Sequence, residues 1–189
     1  MISENWGDLI KTTITRPHEA ARRVLALNLP REALWTAIFL VAVLNTILRS
    51  LINIAVPQEM FPGLNTPGVY FVFAAGSLVI AIIALFWAGR ALGGRGEMTD
   101  IMAVIVWLQV LRLMVQVVSV LLLLSLPALA GVLMIAASLI GIWIMAHFVN
   151  EAHRLDSLGR AFGVLIAAFL AMVLGVSALL SVVGIGFIV

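Results

Sequence analysis

Apolar residues fall in five long runs, roughly 33–56, 69–90, 101–124, 128–149 and 163–188, and polar residues crowd the stretches between them. Each run holds about 20 or more residues, enough at about 1.5 Å per residue to cross a hydrocarbon core of about 30 Å. None alternates apolar with polar positions as a barrel strand would. The pattern predicts an all-α fold, a polytopic membrane helix bundle of five transmembrane helices. The first break, PQEMFPGLNTPG (Pro57–Gly68), is rich in turn residues. GGRGEMTD (Gly93–Asp100) and NEAHRLDSLGR (Asn150–Arg160) are the second and fourth breaks, and Gly93, Gly94, Arg95 and Gly96 read as a tight cytoplasmic turn. Only a short gap around Pro127 parts the third and fourth runs, which predicts an antiparallel hairpin.

Ahead of the first run, RPHEAARRVLALNLP (Arg16–Pro30) has a helical period. Pro17 suits a first turn, where its missing N–H costs nothing, and Pro30 ends the segment. Ala21, Val24, Leu25 and Leu29 share one face, opposite Glu19 and Arg23. This predicts a basic amphipathic helix lying in the membrane interface. The chain therefore divides into an N-terminal cytoplasmic segment, 1–32, and a five-helix transmembrane domain, 33–189.

Composition places the whole chain in a membrane: 63% of residues are hydrophobic, 11% are charged and the mean hydropathy is +1.20. Cysteine is absent, which removes disulfides and thiolate metal sites. The placement of charge says more than its net +2. Lys11, Arg16, Arg22, Arg23 and Arg31 precede the first run, Arg90 and Arg95 lie in the second break, and Arg154 and Arg160 in the fourth. The first and third breaks and the C-terminal end carry no Lys or Arg. By the positive-inside rule the N-terminus is cytoplasmic and Val189 lies outside. The first run is too long for a signal-peptide core and is expected to act as its own insertion signal. Basic residues that flank spans point to membrane lipids as partners, not to nucleic acid.

Catalytic constellations are missing from the sequence. His18, His147 and His153 are scattered and read as interfacial or surface histidines, with no metal-ligand spacing and no cofactor implied. Asp8, Asp100 and Asp156 all sit in polar segments. Ser77, Ser138, Ser177 and Ser181 have no evident base beside them and are expected to hydrogen-bond to nearby backbone. The chain reads as non-enzymatic.

Two polar stripes interrupt the apolar pattern. Gln109, Arg112 and Gln116 fall within about a 60° arc of one helix, and Trp107 points the other way, toward lipid. Asn45, Arg49 and Asn53 repeat the arrangement in the first span. An arginine at mid-helix costs about 2.5–3.5 kcal/mol to insert. The third span offsets this with over a dozen Leu, Ile and Val, each worth roughly −0.3 to −0.6 kcal/mol. Insertion wins, but Arg112 should face protein or water. Asn45 lies at similar depth and is its first candidate partner. Glu59, in the first break, is the candidate for Arg49. Three roles fit: a neutral network that sets helix register, an anion or lipid-headgroup site, or a docking surface for another subunit. A second feature is the row Gly163, Ala167, Ala171 and Gly175, a ridge of small residues suited to close helix approach, within the bundle or against a partner or second copy; Ser177, Ser181, Gly184 and Gly186 extend it.

The organisation resembles the Yip1 family. An amphipathic lead-in carries Arg16-Pro17, Trp35 opens the first span, and Leu92-Gly93-Gly94-Arg95-Gly96 follows the second. Asn150-Glu151-Ala152-His153, Ser157 and Arg160-Ala161 lead into the fifth. Five spans and a cytoplasmic N-terminus also match the family. Eukaryotic members act in early secretory traffic, bind related multispan proteins and engage Rab GTPases, and have a long cytoplasmic N-terminal region. Here that region has about 32 residues and no aspartate-leucine-tyrosine-glycine-proline element. The Rab-type partner is therefore not carried over, and the compact form is similar to the bacterial members. The expectation is a membrane-organising or trafficking-type scaffold working through helix packing, lipids and another membrane protein or itself. The alternatives are a small anion or lipid transporter built on Arg49 and Arg112, or an accessory subunit of a larger membrane complex.

Overall fold

The computed structural model describes residues 5–55 and 66–182. The described residues form seven helices: α1 (Trp6–Thr15), α2 (Pro17–Ala26), α3 (Arg31–Ala55), α4 (Pro67–Ala91), α5 (Met98–Ser125), α6 (Pro127–His153) and α7 (Leu158–Val182). The last five are long and apolar enough to span a membrane. They match the five runs, save that residues 56 and 183–188, and with them Gly184 and Gly186, lie outside the described residues. So do Glu59 and most of the first break.

Local chemistry sets the helix starts. Pro17, Pro67 and Pro127 each open a helix, where a missing N–H breaks no ladder bond. Glu97 and Asp100 close a capping box at the start of α5. The α5–α6 break is Leu126 alone, and the two helices pack as the expected hairpin.

α3, α4 and α5 pack on one another, α6 packs on α5 and α7, and α7 lies along α4. The α4–α7 seam is antiparallel and close. A Cβ at Gly76 would lie 2.8 Å from Leu179, one at Gly175 2.7 Å from Ile80, and one at Gly163 3.8 Å from Leu92. Small residues here let two backbones approach, which is how helices gain packing energy in lipid.

The amphipathic helix is present as α2, and α1 precedes it. Ala20, Ala21 and Val24 of α2 are buried, and α2 packs on α5 and α6. Its apolar face is thus covered by the bundle, while Leu29 lies past the helix and is exposed. Arg22 bonds Glu151 of α6 through Nε (3.0 Å) and Nη2 (3.3 Å). Arg23 bridges Asp8 of α1 (2.8 Å) and Glu19 (2.7 Å).

Burial is uneven along the bundle axis. At the end that carries α1, α2 and the two basic breaks, Leu9, Ile101, Met102, Val104, Phe148, Ala152, Leu155, Ala161 and Val164 are all closed off from solvent. At the far end, Leu121, Leu126, Ile135, Leu139 and Leu174 are exposed.

Candidate functional site

Three of the polar stripe residues lie on the inward face of α5. Ile105 and Ser119 stand two turns before and after Arg112, within about 20° of it on the helix wheel. Both are buried, at 6% and 2% exposure. The lipid side of α5 is opposite, where Met114, Val117, Val118 and Leu121 are exposed. Arg112 therefore projects into the bundle side, and yet its side chain is exposed. The bundle is open at this point, midway along α5.

The expected bond from Arg112 to Asn45 is not formed. Asn45 is buried and its Nδ2 donates to the Val41 carbonyl (3.0 Å). An asparagine inside a helix can satisfy itself on the carbonyl four residues back, and does so here. Thr46 does the same on Ala42 (2.9 Å). Arg49 is half-buried and lies over the Tyr70 ring of α4, 5.8 Å from its centroid. Asn53 follows it on the same face of α3. Among the described residues, Arg49 and Arg112 have no carboxylate within ion-pair distance.

The α5 stripe holds orphaned polar atoms. The Oε1 atoms of Gln109 and Gln116 and the Oγ of Ser119 are buried with no hydrogen-bond partner. Buried polar atoms are nearly always paired, and each orphan costs about 1–3 kcal/mol. Ser119 extends the stripe by one position that the spacing of Gln109, Arg112 and Gln116 allowed but did not demand. By contrast Ser77, Ser138, Ser177 and Ser181 each donate to a carbonyl four residues back, at 2.6–3.0 Å, as expected.

The second constellation is at the opposite, packed end and was missed in the sequence. His153, expected at a surface, is fully buried. Its Nε2 lies 3.1 Å from the Leu85 carbonyl, which makes that nitrogen the donor, and its Nδ1 is left without a partner. The ring occupies the space that side chains at Gly89, Gly94 and Gly96 would fill. A Cβ at Gly89 would overlap the ring, and one at Gly94 would sit 2.9 Å from its Cβ. The turn holds the rest in place. Gly93 takes a left-handed φ of 86°, Gly94 N–H donates to Gly89 O (2.8 Å) and Arg95 N–H donates to His153 O (2.8 Å). The glycines of the second break are thus a socket for a histidine from α6. The clue in the sequence was four glycines in eight residues, Gly89 to Gly96, more than a simple turn needs.

Trp107 points away from the Arg112 face, but not to lipid. It is 6% exposed and covered by α1. Trp6 stacks on it at 6.1 Å, and its Nε1–H donates to Thr13 Oγ1 (3.2 Å), whose own hydroxyl donates to Leu9 O (2.8 Å). The small-residue ridge is divided. Gly175 meets Ile80 of α4 and Gly163 meets Leu92 just past its end, Ala167 is half-buried and Ala171 is exposed. The buried positions between them are Val164 and Ala168.

Between α4, α6 and α7 runs an apolar groove of about 410 Å³, lined by Leu85, Met145, Phe162, Ile166 and Phe169 among others.

Against models of known families, residues 11–179 match the Yip1 domain. Neither the curated proteins nor the solved structures yield a match.

Proposed function

The chain belongs to the Yip1 family as an integral membrane protein, and from that premise we propose a non-enzymatic, membrane-organising role exercised through lipid and partner contacts. The N-terminus is assigned to the cytoplasm on the distribution of Lys and Arg. The supporting observation is the unequal build of the bundle. The basic end is closed by α1, α2 and the His153 socket. The middle of the bundle exposes Arg112, with the buried, unpaired Oε1 atoms of Gln109 and Gln116 one turn to either side of it. A protein that binds within the membrane plane needs such an unsatisfied surface. A protein that conducts needs a path through both ends, and transporters favour interrupted helices at the midplane. Here α3 to α7 are each continuous over 25–28 residues, and one end is packed.

Reconstitution tests this directly. In sealed vesicles the protein should neither pass labelled inorganic phosphate nor scramble fluorescent phospholipid above the rate of empty vesicles. In native membranes, a photo-crosslinking residue in place of Arg112 should give discrete adducts. Flux in either vesicle assay would replace the scaffold role with transport.

A further inference from the structure

We propose that the α5 face bearing Gln109, Arg112, Gln116 and Ser119 binds a phosphate group that carries its own hydrogen-bond donors nearby. A phosphatidylethanolamine or phosphatidylglycerol headgroup has this chemistry, and so does a free hydrogen phosphate ion. The inference rests on the reading of the middle of the bundle as a binding surface and gives that surface a ligand.

The argument starts from what the face lacks. A guanidinium offers five N–H donors and no acceptor. Arg112 uses none of them on any described residue and lies on the bundle side of α5, in an opening. The chain offers it no anion at this depth. None of its nine acidic residues lies within the five apolar runs. Among the described residues no carboxylate lies within ion-pair distance of Arg112. A second copy of the chain brings the same nine and no other. The anion must come from elsewhere.

The acceptors sharpen the ligand. Gln109 and Gln116 flank Arg112 one turn to either side, and their buried Oε1 atoms need donors. Ser119 Oγ, buried at 2% exposure and unpartnered, can give or take a bond. A bare anion would satisfy Arg112 and leave both glutamines as they are. A choline phosphate would do the same, because its quaternary nitrogen has no N–H. A phosphate beside an ammonium or hydroxyl meets Arg112 and brings a donor for one of the glutamines, which stand about 10 Å apart along the helix, once that side chain turns toward it. Arginine is the residue best suited to grip it, through two parallel N–H···O bonds.

The test uses the full chain, stripped of native lipid in detergent. Phosphatidylethanolamine, phosphatidylglycerol, phosphatidylcholine and diacylglycerol with identical acyl chains are titrated separately, and bound lipid is counted by native mass spectrometry. The ethanolamine or glycerol lipid should bind more tightly than the choline lipid and diacylglycerol. Arg112→Met should weaken that binding by about tenfold, while Ser138→Ala, whose exposed hydroxyl only donates to its own helix at Met134, leaves it unchanged. Inorganic phosphate is titrated against the melting temperature in parallel. A rise that Arg112→Met abolishes, with no discrimination among lipids, assigns the site to the free ion. Equal binding of every probe by wild type and Arg112→Met overturns the proposal. So does a protein adduct formed in place of lipid from a photo-crosslinker at position 112. If Arg112→Met does not fold, the lipid order on wild type decides, and no preference over phosphatidylcholine or phosphate effect on melting overturns the proposal. Flux in vesicles removes the scaffold reading without touching this order, and loss of the order without flux removes only the site.

Discussion

His153 shows how one side chain can account for a loop sequence sixty residues away. Its ring fills the volume that side chains at Gly89, Gly94 and Gly96 would need, and its carbonyl receives the Arg95 N–H. An added methyl at Gly89 cannot be absorbed by a flexible neighbour, since the ring is fully buried. Gly89→Ala should therefore cost about 1–3 kcal/mol, as overpacking does in other cores, read as a lower melting temperature in detergent. The same change in a His153→Ala background should cost clearly less, because the clash partner is gone. Strict additivity in that double-mutant cycle would mean the ring swings aside and the socket is loose. Trp107 invites a gentler change. Trp107→Phe keeps an aromatic against Trp6 but drops the N–H given to Thr13, a loss of about 1 kcal/mol. If it melts like the wild type, the stacked ring alone holds α1.

Among elements, the α4–α7 seam separates two glycines and alanines that the sequence ranked together. Gly175 faces Ile80 at a distance that a Cβ would bring to 2.7 Å, whereas Ala171 is exposed. Gly175→Leu should force the two helices apart and lower stability by about 1–3 kcal/mol, while Ala171→Leu should change melting little. Equal losses at both sites would place a further helix against Ala171, from a second copy or a partner. The contrast marks what was legible beforehand. The five spans were, because runs of twenty apolar residues have one stable solution in lipid. The hairpin at Leu126 was, because Pro127 can only begin a helix there. The α4 partner of α7 was not, since spacing by four describes one helix and says nothing of its neighbour. Nor was α1. Its ten residues are half polar, with three threonines, and it is held by the Asn5 cap and by contacts to Trp107 that no local pattern reveals. The polar stripes were found by their period, but the local bond of Asn45 and the orphaned Gln109 and Gln116 acceptors needed coordinates.

At the scale of the whole molecule, charge and packing are polarised along the same axis. Nine Lys and Arg, both ion-paired helix contacts of α2 and the His153 socket sit at one end, and the far end is apolar and open. Basic residues resist translocation, and the proposed orientation puts the closed end in the cytoplasm on that ground. The absence of native cysteine makes this cleanly testable, because a thiol introduced at one site is the only thiol present. Arg95, in the break after α4, and Leu126, between α5 and α6, are both exposed and lie at opposite ends. In intact cells a membrane-impermeant maleimide should label Leu126→Cys, and label Arg95→Cys only once the membrane is opened. The reverse pattern would invert the molecule and place the stripe of Gln109, Arg112 and Gln116 toward the inner leaflet. Labelling of both sites from one side would remove α5 as a span, because the two positions are separated by that helix alone.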